Sequence, residues 1–329
     1  MNTKQKVVEE IKKAKRIIIF HHMAPDGDAL GSALALREIL EQLDTVHIVD
    51  NVITSYIPDV YKYLPDVDKF RKPDDDSLYN TYDLGITVDC ASKDRLGEAT
   101  ELFNNAKKTV CIDHHVSNTG FADIDLIETS VSATGEIIFS LIELLNARLD
   151  KNIATNLYTS ILTDTGGFKF ENTKPETFRI CADLVEAGAD PVEIYKNCYE
   201  IKSLSMVKLH ARVIDRAVVS EDQKIIYGVI KRDVLNELDA SDDFIDGITE
   251  SLRQVKDVEV ALIFKETLKK TTRVSFRSNG LDVCKIANFF GGGGHKLAAG
   301  CLIEKNIEES IKDVLSIVEK QISKKEICF

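Results

Sequence analysis

No run in the 329-residue sequence approaches 18 consecutive apolar residues. A membrane-crossing helix needs about that many, so no span is expected. The N-terminal segment MNTKQKVVEEIKKAKR is charged and helix-like, without the apolar stretch of a secretory signal. Paired cysteines are missing too. The seven cysteines, at positions 90, 111, 181, 198, 284, 301 and 328, are scattered, odd in number and never spaced as CxxC. That pattern argues against a disulfide framework and fits free thiols in a reducing cytoplasm. An excess of basic charge is also absent: 42 Lys+Arg stand against 54 Asp+Glu, a net charge of −12. Proteins that grip long duplex DNA by its phosphates are usually basic. A polyanionic substrate is therefore expected to be short and locally bound, or the local positive charge to come from a metal. Internal repeats and low-complexity tracts are not visible either.

What is present is ordinary for a soluble globular protein, 44% apolar and 29% charged. The length exceeds one typical core and predicts two domains. In the first half two periods alternate. RIIIF (16–20), VHIVD (46–50), YDLGITVD (82–89) and KTVCID (108–113) read as strands. DALGSALALREILEQL (28–43), DRLGEATELFNNA (94–106), SATGEIIFSLIELLNARL (132–149) and KNIATNLYTSILTD (151–164) read as helices. Strand–helix alternation argues an α/β fold, a doubly wound, mainly parallel sheet with helices on both faces. RKPDDDSLYN (71–80) reads as a solvated loop. The character changes at GADPVEIY, placing a first domain over 1–190, a linker helix over 191–214 and a smaller α/β domain over 215–329, with strands at KIIYGVI, VEVALIF and TTRVSFRS.

The chemistry gathers at the strand ends. RIIIF runs into HHMAPDGD, which holds His21, His22, Asp26 and Asp28. YDLGITV runs into Asp89, and KTVCI into Asp113, His114 and His115. Adjacent histidines within a strand would point to opposite faces; at a strand end, where the chain turns, they can converge. In a doubly wound sheet ligands bind beyond the carboxyl ends of the strands, so these segments deliver His and Asp to one edge. LTDTGGF (162–168) adds Asp164 at a helix end, before a double glycine that lets the backbone turn. Each piece alone has a plain explanation, such as Asp28 as a helix cap or Asp89 as a capping acid. Their joint occurrence in order is what points to a metal-ligand set. Imidazole with carboxylate suits Mn²⁺, Fe²⁺, Co²⁺ or Zn²⁺, and so many groups suit two ions sharing a carboxylate.

On HHMAPDGD, VDC, DHH and LTDTGGF the sequence resembles the DHH phosphoesterases. SFRSNGLDVCKIANFFGGGGHKLAAG (275–300) resembles the C-terminal domain of one branch of that family. The resemblance spans nearly the whole chain. It implies two divalent ions, most simply Mn²⁺. One would be held by His22, Asp26 and Asp89, the other by Asp28, Asp89, His114 and Asp164, with Asp89 bridging. It also implies that His115 contacts the scissile phosphate, that Asp113 orients a histidine or the loop, and that the active site lies in a cleft between the domains. Substrate binding is expected at Arg277, Ser278, Gly292, Gly293, Gly294 and His295. The glycines expose backbone amides, and HKLAA is expected to start a helix whose N-terminus favours a phosphate. Arg95 is expected either to add a phosphate contact or to be solvated at a helix start. The nearest type is the stand-alone bifunctional oligoribonuclease that also dephosphorylates 3′-phosphoadenosine 5′-phosphate (pAp). Linear pApA or cyclic di-AMP hydrolysis is the alternative, and a silent nucleotide sensor a third that the intact ligand set disfavours. The expected partners are short single-stranded RNA or DNA oligonucleotides or small nucleotides and a second copy of the chain, with no long duplex, no membrane and a cytoplasmic location.

Overall fold

The computed structural model describes residues 2–240 and 246–327. The chain divides into two compact units, residues 1–201 and 202–329.

The first unit begins with helix α1 (Thr3–Lys13), strand β1 (Arg16–Phe20), α2 (Gly27–Glu41), β2 (Ile48–Val52), β3 (Phe70–Arg71) and β4 (Leu84–Val88). It continues through α3 (Thr100–Asn104), β5 (Thr109–Asp113), β6 (Ile124–Ile127), α4 (Thr134–Leu145), α5 (Lys151–Asp164), α6 (Pro175–Glu186) and α7 (Pro191–Tyr195). The six strands pair in the order β3-β2-β1-β4-β5-β6, and every pairing is parallel. Continuous apolar runs such as RIIIF result from that, since a parallel strand is covered on both faces. One face carries the main core, in which α1, α2, α4, α5 and α6 pack on the sheet. The other carries a smaller cluster of Ile18, Phe20, Val52, Tyr82, Leu96 and Phe103. Chain order reverses between β1 and β4, so the crevice of this sheet opens where those two strands end.

Expected and observed elements differ in two places here. The strand expected at 46–50 forms at Ile48–Val52. The helix expected over 94–106 is a 3₁₀ segment, Lys93–Ala99, and then the short α3. Gly97, at φ +55°, breaks the path. The acidic segment 71–80 is irregular and mostly exposed, as a solvated loop should be.

The second unit comprises α8 (Leu204–Asp215), β7 (Val218–Val219), β8 (Ile225–Ile230), α9 (Arg232–Leu238), α10 (Asp246–Arg253), β9 (Val260–Glu266) and β10 (Thr272–Ser278). Beyond these come α11 (Val283–Phe289), β11 (Gly293–His295), β12 (Ala298–Ile303) and α12 (Ile307–Ile327). Its sheet runs β11-β12-β10-β9-β8-β7, antiparallel except for β8 with β9. One core joins the sheet to α11 and α12; a second joins β8 and β9 to α8, α9 and α10. The segment expected as a linker helix is shared out between the units. Ile194 of α7 is buried in the first core, whereas Leu209 and Val213 of α8 are buried in the second unit.

The expected helix at HKLAA does not form. Residues 293–303 are a hairpin, with Gly294 opposite Ala299 and His295 opposite Ala298. Alternation decides it: Ala299, Cys301 and Ile303 face the core while Leu302 is exposed, a period of two. The helix-dipole site for a phosphate expected at this loop is therefore absent.

Candidate metal centre

Four segments bring their side chains together at the carboxyl ends of β1, β4 and β5 and of helix α5. His22 lies just past β1, and its Nε2 is 3.5 Å from Asp89 Oδ2 and 3.9 Å from Asp26 Oδ1. His114 lies just past β5, and its Nε2 is 3.7 Å from Asp28 Oδ2, 3.6 Å from Asp89 Oδ1 and 3.5 Å from Asp164 Oδ2. Asp89 thus turns one oxygen to each histidine. His22, Asp26 and Asp89 form one potential ligand group, Asp28, His114 and Asp164 a second, and Asp89, His114 and His115 a third. Asp89, at the end of β4, holds a left-handed backbone (φ +51°) that aspartate tolerates better than most residues.

Several of the candidate ligands are fixed by what their neighbours hold. The His22 Nδ1–H donates to the Met23 carbonyl at 2.8 Å, which turns Nε2 to the carboxylates; burial pulls its pKa down, but Asp89 and Asp26 outweigh that and raise it. His21 points elsewhere. It is buried against Phe70, edge to face at 5.4 Å, with Nδ1 2.9 Å from the His22 carbonyl. Burial pushes the His21 pKa down to about 4, and its Nε2 is buried without a hydrogen-bond partner. Asp26 caps α2, accepting from the Asp28 and Ala29 amides at 3.1 Å.

Asp28 is held hardest. The N-cap of helix α4 is Ala133, which offers no capping side chain, and Asp28 takes that role from a distance. It accepts from the Thr134 and Gly135 amides at 2.8 and 3.2 Å, and from the Ser160 and Ser32 hydroxyls at 2.5 and 3.0 Å. These four donors are anchors that the sequence reading missed. Only the run of small residues around Ser132–Gly135 signalled a helix start open to a foreign cap. α2 reaches this position because two glycines let it sit against α5. A Cβ on Gly31 would stand 2.3 Å from the Asn156 carbonyl oxygen, and one on Gly27 2.5 Å from Thr163 Oγ1. Gly166 and Gly167, both at positive φ, then turn the chain away after Asp164.

The two adjacent histidines are set apart by their surroundings. Burial lowers the pKa of His114, so its ring is neutral and its lone pair available. Burial also pulls on His115, but its hydrogen bond to Asp113 and the charge of Asp89 outweigh that and hold it at about 9. The His115 Nδ1–H donates to Asp113 Oδ1 at 2.7 Å, and the Asn118 amide donates to Asp113 Oδ2 at 2.7 Å. Asp113 itself is fully buried. Arg95 stands beside the centre, its Nη2 3.2 Å from His22 Nδ1. Cys90 and Cys111 are buried thiols pushed up to about 12, which suits neither as a thiolate ligand.

The carboxylates act on each other. Burial, then the charges of Asp89, Asp164 and Asp26, drive Asp28 well above the usual carboxylate range. Burial, then Asp89 and Asp26, do the same to Asp164. Burial opposes ionisation of Asp89 too, but His22, His115 and His114 around it outweigh that and hold it low. Four carboxylates and two imidazoles turned on a common space, with two of the acids resisting ionisation, are a donor set that divalent cations would relieve.

The remaining expected site residues lie in the second unit. Arg277 and His295 flank Ala298 across the register of β10, β12 and β11. Gly292 and Gly294 are needed for the hairpin itself: a Cβ would stand 2.2 Å from the Gly300 carbonyl and 2.5 Å from the Ala298 carbonyl. Gly293 is exposed beside them. Ser278 is buried, and its Oγ accepts from the Gly280 and Leu281 amides at 3.0 and 2.7 Å, so it holds the turn after β10. Among the described residues no helix is long and apolar enough to cross a membrane.

Comparison with known proteins shows the family of the chain. Residues 16–161 match the model of the DHH family, N-terminal domain, and residues 222–324 that of the DHHA1 domain. The chain is 30% identical over 328 residues to the bifunctional oligoribonuclease and PAP phosphatase NrnA of Thermus thermophilus, covering 98% of this chain and 95% of that protein. It is 27% identical over 304 residues to the protein of the same name from Bacillus subtilis, covering 91% and 93%. An exopolyphosphatase-related protein of Bacteroides fragilis has a similar crystal structure, with a TM-score of 0.90 at 26% identity over 97% of this chain and 96% of that one.

Proposed function

This chain belongs to the DHH family of phosphoesterases, and from that premise we propose that it is a Mn²⁺-dependent hydrolase of short oligonucleotides, about two to five nucleotides long, and of pAp. One observation carries the reading. Asp89 sits between His22 and His114 with one oxygen toward each, at 3.5 and 3.6 Å, as a carboxylate shared by two cations would. We assign His22, Asp26 and Asp89 to one ion and Asp28, Asp89, His114 and Asp164 to the other. Bound there, two divalent ions supply the Lewis acidity that makes water nucleophilic at neutral pH and draws charge from a phosphate.

The chain's own residues do the rest. Asp28, locked by four donors, and Asp26, locked as a helix cap, keep ligand oxygens in place without searching for them. His115, protonated near neutral pH and oriented by Asp113, offers a cationic donor for charge developing on the phosphate. Arg95 adds a second cation beside His22. Arg277 and His295 of the second unit are assigned to binding a nucleotide phosphate.

The relatives named as oligoribonucleases and PAP phosphatases support this choice of substrates. The test is turnover by the purified protein with Mn²⁺ on di- to pentanucleotides, pAp, pApA and cyclic di-AMP. Short oligonucleotides and pAp should be hydrolysed. Hydrolysis confined to cyclic di-AMP and pApA, or none at all, overturns the reading. Asp89→Asn should retain less than about a tenth of the rate, because it removes the shared ligand.

A further inference from the structure

The four carboxylates of the metal centre are not held alike. Asp26 and Asp28 accept from backbone amides, Asp28 from two hydroxyls as well, and Asp89 from the Thr134 hydroxyl at 3.3 Å. The Asp164 carboxylate accepts from no amide or hydroxyl among the described residues; it faces only His114, at 3.5 Å. What keeps its oxygens in place must therefore act through its backbone, at the last turn of α5. That turn is fastened from outside the helix. Asn172 Nδ2 donates to the Asp164 carbonyl at 3.1 Å. The Leu162 carbonyl takes three donors, the Gly167 amide at 2.8 Å, the Thr165 hydroxyl at 3.2 Å and the Tyr199 hydroxyl at 3.1 Å. The first two belong to the helix end itself. Tyr199 comes from a single π-helical turn, Lys196–Glu200, that follows α7. There the Ile201 amide reaches back five residues, to the Lys196 carbonyl at 3.0 Å. Such turns are rare and concentrate at functional sites. Cys198 of the same turn bears on α5 through Tyr63, whose hydroxyl is 3.3 Å from Cys198 Sγ and 2.7 Å from Thr159 Oγ1. The Tyr199 ring also covers Gly167, where a Cβ would stand 3.8 Å from it.

We propose that Tyr199 is a positioning residue for Asp164: its hydroxyl, brought in by the π-helical turn, fixes the end of α5 and with it the direction in which the Asp164 carboxylate meets a cation. The inference rests on the metal assignment above and deepens it by naming what aims the one carboxylate without a donor on its own oxygens. Asp164 is assigned to one of the two ions, so the effect is confined to that ion. The other, assigned to His22, Asp26 and Asp89, takes no ligand from α5. Without the Tyr199 hydroxyl the Leu162 carbonyl keeps two donors, so no buried acceptor is orphaned and the fold loses little.

The experiment titrates Mn²⁺ into the full chain by calorimetry, without substrate, for wild type, Tyr199→Phe, Asp164→Ala and the double variant. Tyr82→Phe is the control. Tyr82 is buried in the smaller cluster on the other face of the sheet, ahead of β4, and its hydroxyl donates to Asp50 at 2.7 Å. Wild type should bind two ions. Tyr199→Phe should weaken one of them by about three- to tenfold, the range that one hydrogen bond can hold, and leave the other as it was. In urea the metal-free Tyr199→Phe chain should lose no more than Tyr82→Phe does, and Tyr82→Phe should bind both ions like wild type. In the Asp164→Ala background the change at Tyr199 should add nothing, because the group it aims is gone. Equal weakening of both ions, or a further loss in the Asp164→Ala background, would make Tyr199 a general support of the fold and overturn the proposal. Wild-type affinity in Tyr199→Phe overturns it as well, with the metal assignment left standing. A wild type that binds no Mn²⁺ overturns the metal assignment, and the proposal falls with it.

Discussion

At the scale of single residues, neighbours decide what each group does. His114 and His115 are adjacent in sequence, yet burial leaves one neutral while Asp113 keeps the other charged. We therefore expect His114→Ala to lose bound Mn²⁺ or to bind it more weakly. His115→Ala should keep its metal and slow turnover by roughly 10²–10³-fold, the loss typical of one donor to developing charge. Metal content of the two purified variants, read beside their kcat, is the check; equal metal loss in both would mean that His115 is a ligand too. The ligand candidates were legible in the sequence because strand ends collect them, and because side-chain alternation ceases where a strand ends. Their anchors were not. Ser160 lies 132 positions from Asp28, and nothing in either local pattern announces the pair. Ser278 was legible only as part of a motif; burial reveals it as the clasp of a turn.

At the scale of elements, the decisive contact is α2 against α5. Asp28 rides on one helix, and Ser160 and Asp164 on the other, so the distance between the helices sets the distance between ligands. Gly31→Ala places a methyl group 2.3 Å from the Asn156 carbonyl oxygen, which is backbone and cannot rotate away. We expect it to cost about 2–3 kcal/mol in urea unfolding and to reduce metal affinity along with it. Gly247→Ala on α10, where the nearest atom is 3.9 Å from the new methyl, is the control and should be neutral or slightly stabilising. The strands β1, β4 and β5 and the long helices were readable from apolar period alone. The GGGGHKLAAG hairpin was not. Ala, Leu and Lys are good helix formers, but pairing with β10 overrode that preference, because Ala299, Cys301 and Ile303 bury on one face only when extended.

At the scale of the whole molecule, the cores of the two units are built from different residues. Perturbations should therefore separate. Mn²⁺ at about a hundred times its dissociation constant should raise the stability of the first unit by about 2.7 kcal/mol, an effect that chelation reverses and Asp89→Asn abolishes. Phe276→Ala, in the buried sheet of the second unit, should cost about 3–5 kcal/mol there while leaving the Mn²⁺-dependent increment intact. Calorimetry with and without metal resolves the two effects. A single transition that both changes shift by the same amount would mean that the units unfold as one.

The histidine that the metal centre does not use has a use of its own in spectroscopy. The His21 ring is the immediate neighbour of His22, buried against Phe70, with a nitrogen that has no acceptor waiting for a second proton. Its folded pKa of about 4 lies below the unfolded value, so its contribution to folding is fully present above pH 6.5 and is lost as the pH falls from there through about 4. Between pH 6 and 8 its resonances should stand still while those of exposed histidines drift. At a fixed pH in that window, a change in the His21 signals on adding a cation would then report occupancy of the adjoining site, by a diamagnetic cation through its shift or by Mn²⁺ through broadening, in the unmodified protein and without a label.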